Sequence, residues 1–186
     1  MKKKPNAGWV ARIVLISVTA SMAFTLASTE ILGRVGHVLA FLLLAVFIII
    51  GILFDIIAVA VTVSTEAPFH SMAAHRQRGA AECLKLVRNA DKTASVCGDV
   101  VGDVTGIISG ATAVLITARL MQNFNTENLL LQLLIPGMVT GLTIGGKAVA
   151  KGFALNNNVA IVLKAGKSID FFSRLTQPKK KRKPTK

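Results

Sequence analysis

The sequence predicts an all-α polytopic membrane protein with about four transmembrane helices and further amphipathic helices at the interface. Three observations carry that prediction. Of 186 residues, 52% are hydrophobic and only 17% charged, a balance rare in soluble domains. The apolar residues fall into four long runs, each near the ~20 residues that a bilayer-spanning helix needs. The basic residues are unevenly spread, which is the signature of a fixed orientation across a membrane. Cys83 and Cys97 match no metal spacing, and no set of nucleophile, base and orienting acid is visible, so an enzyme is not expected.

Residues 1–37 comprise a basic leader and a first apolar segment. Trp9 opens that segment as an interfacial anchor would, and the apolar run lasts to Ala27. Two readings stand here. The basic start and the small residues near Ala27 suit a secretory signal. The length of the run suits a first membrane helix, which we favour. Residues 28–37 read as a polar break.

Residues 38–175 read as the main membrane domain. Residues 38–65 are the longest apolar run, with one charge, Asp55, and Glu66 closing it. That exceeds one span, so the helix tilts, or its hydroxyl-rich end lies in polar surroundings. Residues 67–92 are basic and weakly amphipathic, with Phe69, Met72, Leu84 and Val87 at helical spacing and Pro68 suited to a first turn. A helix lying in the interface is expected, ended by a turn at residues 89–91. Residues 93–118 form the third span. Within it Gly98, Gly102, Gly106 and Gly110 recur every fourth position, so on a regular helix they share one face. Each glycine costs about 1 kcal/mol against alanine in a soluble helix; in a bilayer a small-residue face lets helices pack closely. Residues 129–146 are the last span, interrupted at Pro136-Gly137, with Lys147 and Lys151 after it. A final amphipathic stretch covers residues 159–175.

Residues 176–186 read as a disordered basic tail. Its Pro-Lys-Lys-Lys-Arg-Lys run resembles a nuclear localisation signal, but a basic tail after an integral segment fixes topology and attracts anionic lipid, and no nucleic-acid partner is expected. Twenty of the 22 Lys and Arg residues fall on one side of a four-span arrangement, leaving Arg34 and Arg119 on the other. Both termini are therefore expected in the cytoplasm, in a multi-pass protein of the cell membrane.

Acids within a span are costly and face a bundle interior or a watery path. Counted from Glu66 and Lys92, Asp55 and Asp103 are each eleven residues deep, or about 16 Å. That is near the middle of a hydrocarbon core of about 30 Å. Asp99 lies one turn nearer the cytoplasm. The expectation is a shared mid-membrane cation site on Asp55 and Asp103, approached past Asp99, with hydroxyls adding oxygen ligands for a hard cation such as magnesium. The plainer reading is protonated acids that serve packing alone.

From Val38 to about Leu175 the order of features resembles the transmembrane domain of the CNNM/CorB/CorC magnesium transporters. Ser64-Thr65-Glu66-Ala67 looks like that family's hydroxyl-rich element ending the first span. Gly98-Asp99 or Gly102-Asp103 looks like its Gly-Asn-Asn element, with aspartate for asparagine. Gly146-Lys147-Ala148-Val149-Ala150-Lys151 looks like its Gly-Glu-x-x-Pro-Lys element, without the glutamate and proline. The resemblance implies magnesium as the bound or transported ion, ligands drawn from Ser64, Thr65, Glu66 and the aspartates, no organic cofactor, and a homodimer in the lipid bilayer. The family's CBS pair has no counterpart after Leu175, so nucleotide regulation in cis is not expected. The function expected is divalent-cation transport; the alternative is a non-transporting membrane protein that assembles with or regulates another. Lys147 stands where the family has glutamate. It either enters the site as a tethered cation or snorkels to the interface. Its place after the last apolar residues favours snorkelling.

Overall fold

The computed structural model describes residues 7–125 and 128–176; the basic leader at 1–6 and the basic tail from 177, with the roles expected of them, lie outside the described residues. The chain is all-α. Its helices are α1 (Ala7–Arg34), α2 (His37–Val63), α3 (Ala67–Ala74), α4 (Ala80–Arg88), α5 (Ala90–Ala94), a π-helical segment (Ser95–Asp103), α6 (Val104–Phe124), α7 (Leu129–Asn156) and α8 (Asn158–Thr176). Among the described residues four stretches are long and apolar enough to cross a membrane: Gly8–Ile31, His37–Val63, Ala90–Phe124 and Leu129–Asn156.

The helices run further than the apolar runs that announce them. α1 continues through the expected polar break, and the chain turns only at Val35 and Gly36. α7 passes Pro136 unbroken and extends ten residues past Gly146. Its start is capped by Asn128, whose side chain accepts from the Leu130 amide. Lys147 and Lys151 therefore sit on the helix, not after it. This matters below, because Lys147 is nine residues, about 14 Å, from the helix end.

α2 is the hub. It packs against the π segment, α6, α7, α5 and α8. Its strongly apolar sequence allows this, since a helix hydrophobic all round can be surrounded. Two apolar cores form along it. One joins Ala60, Val61, Phe69, Cys83, Val87, Ala154 and Val162, where α3, α4 and α8 close over the ends of α2 and α7. The other joins Ala40, Leu44, Ala113 and Ile116 at the opposite end. There His37 and Asn123 also meet, 2.7 Å apart. Between the cores lies a layer of glycines, hydroxyls and charges, and the candidate site is in that layer.

The basic connector is two helices, not one. α3 stops at His75, and Arg76 and Gly79 take positive φ values of 53° and 80°. Gly79 then lies against Gly166 of α8. A Cβ on Gly166 would fall 2.8 Å from the Gly79 carbonyl oxygen, and one on Gly79 would fall 2.7 Å from the Lys167 nitrogen. The turn expected at 89–91 is confined to Asn89, which separates α4 from α5; α5 begins at Ala90 and leads straight into the third span. At its start Lys92 lies over the ring of Trp9, 5.5 Å from the centroid. α1 and the third span therefore begin at the same level and run parallel.

A candidate cation site beside a π-helical segment

The third span changes its winding where the glycines and aspartates fall. Ser95–Asp103 is π-helical, and regular α-helix resumes at Val104. Such segments are rare and recur at functional sites. Gly98 and Gly102 belong to the π segment; Gly106 and Gly110 belong to α6. The four glycines therefore do not act as one packing stripe. A Cβ on Gly98 would meet Ala58 at 3.5 Å, and one on Gly102 would meet Gly51 O at 3.7 Å. These two face α2. A Cβ on Gly106 or Gly110 would meet nothing within 4 Å; these two line an open cavity instead. α2 approaches this span closely at Gly51, where a Cβ would fall 2.6 Å from Thr105 Oγ1.

This register separates Asp55 from Asp103. Gly51 sits against Gly102 and Thr105, and Ala58 against Gly98, so Asp55 lies between those levels, about a turn from Asp103 toward the Ala58 end of α2. Direction separates them further. Asp99 and Asp103 directly follow Gly98 and Gly102, and successive residues of a helix, π or α, point in well-separated directions. With Gly98 and Gly102 facing α2, Asp99 and Asp103 are swung away from it. Both aspartates border a groove against α1, beside Ser17 and Ser21. Asp103 also borders the cavity between α6 and α7. Asp55 Oδ2 is buried with no hydrogen-bond partner among the described residues. Among the described residues no three His, Cys, Asp or Glu side chains come together to hold a metal ion. Asp55 lines neither of the two cavities that Asp99 and Asp103 border.

The elements near Glu66 are also engaged elsewhere. Glu66 Oε2 accepts from Arg88 Nε at 2.9 Å and lies 3.1 Å from His70 Nε2. Arg88 above all, and then His70, hold its carboxyl below the ordinary range. Ser64 Oγ donates to the Ala60 carbonyl at 2.7 Å, and Thr65 is exposed. Glu66 thus ties α4 to the end of α2 and caps the polar edge of the connector. From Asp55 to Val63 alone is eight residues, about 12 Å, so Ser64, Thr65 and Glu66 do not reach the middle layer.

What the middle layer does assemble centres on Lys147. Its Nζ donates to Asp103 Oδ1 and to the Gly102 carbonyl oxygen, each at 3.2 Å. The lysine side chain is 19% exposed and that of Asp103 66%. Lys147 does not snorkel, because α7 carries it well inside the helix rather than at its end. The apolar run stops at Gly146, which hides this in the sequence. The Gly102 oxygen also accepts from Thr105 Oγ1 at 3.0 Å. Lys147 and Asp103 share a cavity of about 390 Å³ with Thr140, Thr143, Gly106 and Gly110. Thr143 Oγ1 donates to Val139 O at 2.8 Å. With its proton committed to a carbonyl, such a hydroxyl keeps lone pairs that a cation can use. The groups around the ammonium are thus one carboxylate, one carbonyl and nearby hydroxyl oxygens: the donor types a hard cation takes.

Thr105 is among the hydroxyls that the sequence offers as oxygen ligands; Thr143 and Gly51 escape a reading of composition, since threonine and glycine are unremarkable in membrane helices. The spacing of Thr143 and Thr140 from Lys147 places them one and two turns away, respectively, on one face, and that is the signal available. Set against known protein families, curated proteins and solved structures, the chain matches none.

Proposed function

We propose that the chain is an integral membrane protein that handles a magnesium-like divalent cation, as a transporter or a relative of a transport domain, and that Lys147 is the resident counter-cation of its site. One observation carries this reading: the ammonium of Lys147 rests on Asp103 and the Gly102 carbonyl in a cavity beside a π-helical segment. A cation reaching Asp103 must displace the ammonium or share the carboxylate with it. Magnesium suits this arrangement because it keeps several waters and is held through one or two carboxylates. Asp103 supplies the anion, the hydroxyls meet the water shell, and Lys147 sets the threshold. Asp99, in the groove toward α1, lies on a second approach. The resemblance to the CNNM/CorB/CorC domain adds to this reading, with the glutamate of that family exchanged for a lysine that lowers affinity.

The orientation that goes with it has both termini in the cytoplasm of a cell membrane, with a second copy as the expected partner. Flux tests the proposal. Purified protein in liposomes loaded with a magnesium-sensitive dye is expected to raise the signal on external magnesium, and Asp103→Asn to reduce the rate at least tenfold. Equal rates for wild type, Asp103→Asn and protein-free liposomes would leave the alternative, a protein that only assembles with another.

A further inference from the structure

A second cavity shares no residue with the cation site. It is a groove of about 570 Å³ bounded by α2, α8, the end of α7 and the start of the third span. That volume lies within the roughly 300–1,000 Å³ of ligand clefts. Leu53, Ile57, Phe153 and Phe172 are among its apolar walls. Among the described residues that line it, one is charged: Lys164 of α8. Ser168, one turn on, adds a hydroxyl on the same side. The groove therefore has an apolar body and a cationic, hydroxylated edge.

Its depth follows from α2. Ile57 and Leu53 lie six and ten residues before Val63, the end of the helix, so at 1.5 Å per residue the groove runs from about 9 to 15 Å below that end. α8 packs against α2 and α4 where the connector helices close over the span ends. An acyl chain lying along Ile57 and Leu53 would carry its headgroup to the level of α8. No carboxylate borders the groove among the described residues, so a headgroup with negative charge meets Lys164 without an opposing charge. We infer that this groove is a site for a single anionic phospholipid, its chain along α2 and its phosphate on Lys164. Attraction of this kind near an anionic surface is worth about 1 kcal/mol per lysine, which corresponds to a roughly fivefold preference over a zwitterionic lipid.

Native mass spectrometry of the full chain in detergent tests this, with phosphatidylglycerol and phosphatidylcholine of the same chain length added in equal amounts. Wild type is expected to retain one phosphatidylglycerol in about fivefold preference. Lys164→Glu should bring the ratio near one, Lys164→Arg should keep it, and Lys151→Glu, an exposed lysine outside the groove, should not change it. Ile57→Trp, which fills the groove, should remove the retained lipid of either kind. Equal retention of both lipids by wild type, or an unchanged preference in Lys164→Glu, overturns the proposal. So does a groove closed by a second copy, seen as a dimer that Ile57→Trp dissociates while lipid retention stays the same.

Discussion

In the proposed reading Lys147 is a cation placed where a divalent cation would bind, and its contacts with Asp103 and the Gly102 carbonyl set what each substitution does. Asp103→Asn keeps the shape and removes the charge. The Lys147 ammonium then keeps the Gly102 carbonyl but loses its ion pair, so magnesium affinity is expected to fall at least tenfold, about 1.4 kcal/mol, with the fold retained. Magnesium-dependent thermal stabilisation in detergent reads this directly. Glu66 makes a separate prediction. Its carboxyl is held down by Arg88 and His70, so its folded value lies below its unfolded one. The stabilisation it gives is present above the ordinary glutamate range, near pH 4.3, and is lost as pH falls through the folded value. Wild type should therefore unfold at a higher temperature than Glu66→Gln at pH 7, and the gap should close in strong acid. A gap that widened on acidification would mean that the Arg88 pairing is not its source.

At the scale of elements, the glycines divide by what they touch rather than by their spacing. Gly51, Gly79 and Gly166 permit close approaches; Gly106 and Gly110 line a cavity. Gly166→Ala should push α8 from α4, where Gly79 and Cys83 lie, and overpacking of this kind costs about 1–3 kcal/mol. Gly110→Ala should stay within about 0.5 kcal/mol, as substitutions away from packed features do. Thermal unfolding of the two variants side by side checks this; equal losses would restore the single packing stripe. The third span explains why the spacing misleads. A period of four identifies a face only on a regular α-helix, and Ser95–Asp103 is wound differently. Nothing in the residues announces that change; outside its own span, the π segment packs chiefly against α2. Gly79 is equally hidden: a lone glycine in a basic connector is ordinary until its φ of 80° and its contact with α8 are known.

For the whole molecule, the all-α polytopic architecture was legible, because span length and apolar content depend on the bilayer and not on tertiary detail. The approximate place of each span was legible for the same reason. The site was legible only in part. Asp103 and the third span were picked out by the cost of charge in lipid, whereas the pairing with Asp55 assumed a regular helix and equal depth, and the position of Lys147 depended on where α7 ends. Orientation is open to a direct check. Cys83 is a poor reporter, since it is fully buried, donates to the Val162 carbonyl at 3.3 Å, and burial pushes its thiol up. Gln77→Cys and Gln122→Cys place exposed thiols at opposite ends of the bundle. In intact cells an impermeant maleimide should label the cysteine at 122 and spare the one at 77; the reverse pattern inverts the topology. The claim that Lys147 competes with a cation for Asp103 is tested most directly by titrating magnesium calorimetrically into wild type and Lys147→Ala. Removal of the tethered ammonium is expected to tighten binding about tenfold, roughly 1.4 kcal/mol. Unchanged or weaker binding in Lys147→Ala would contradict it.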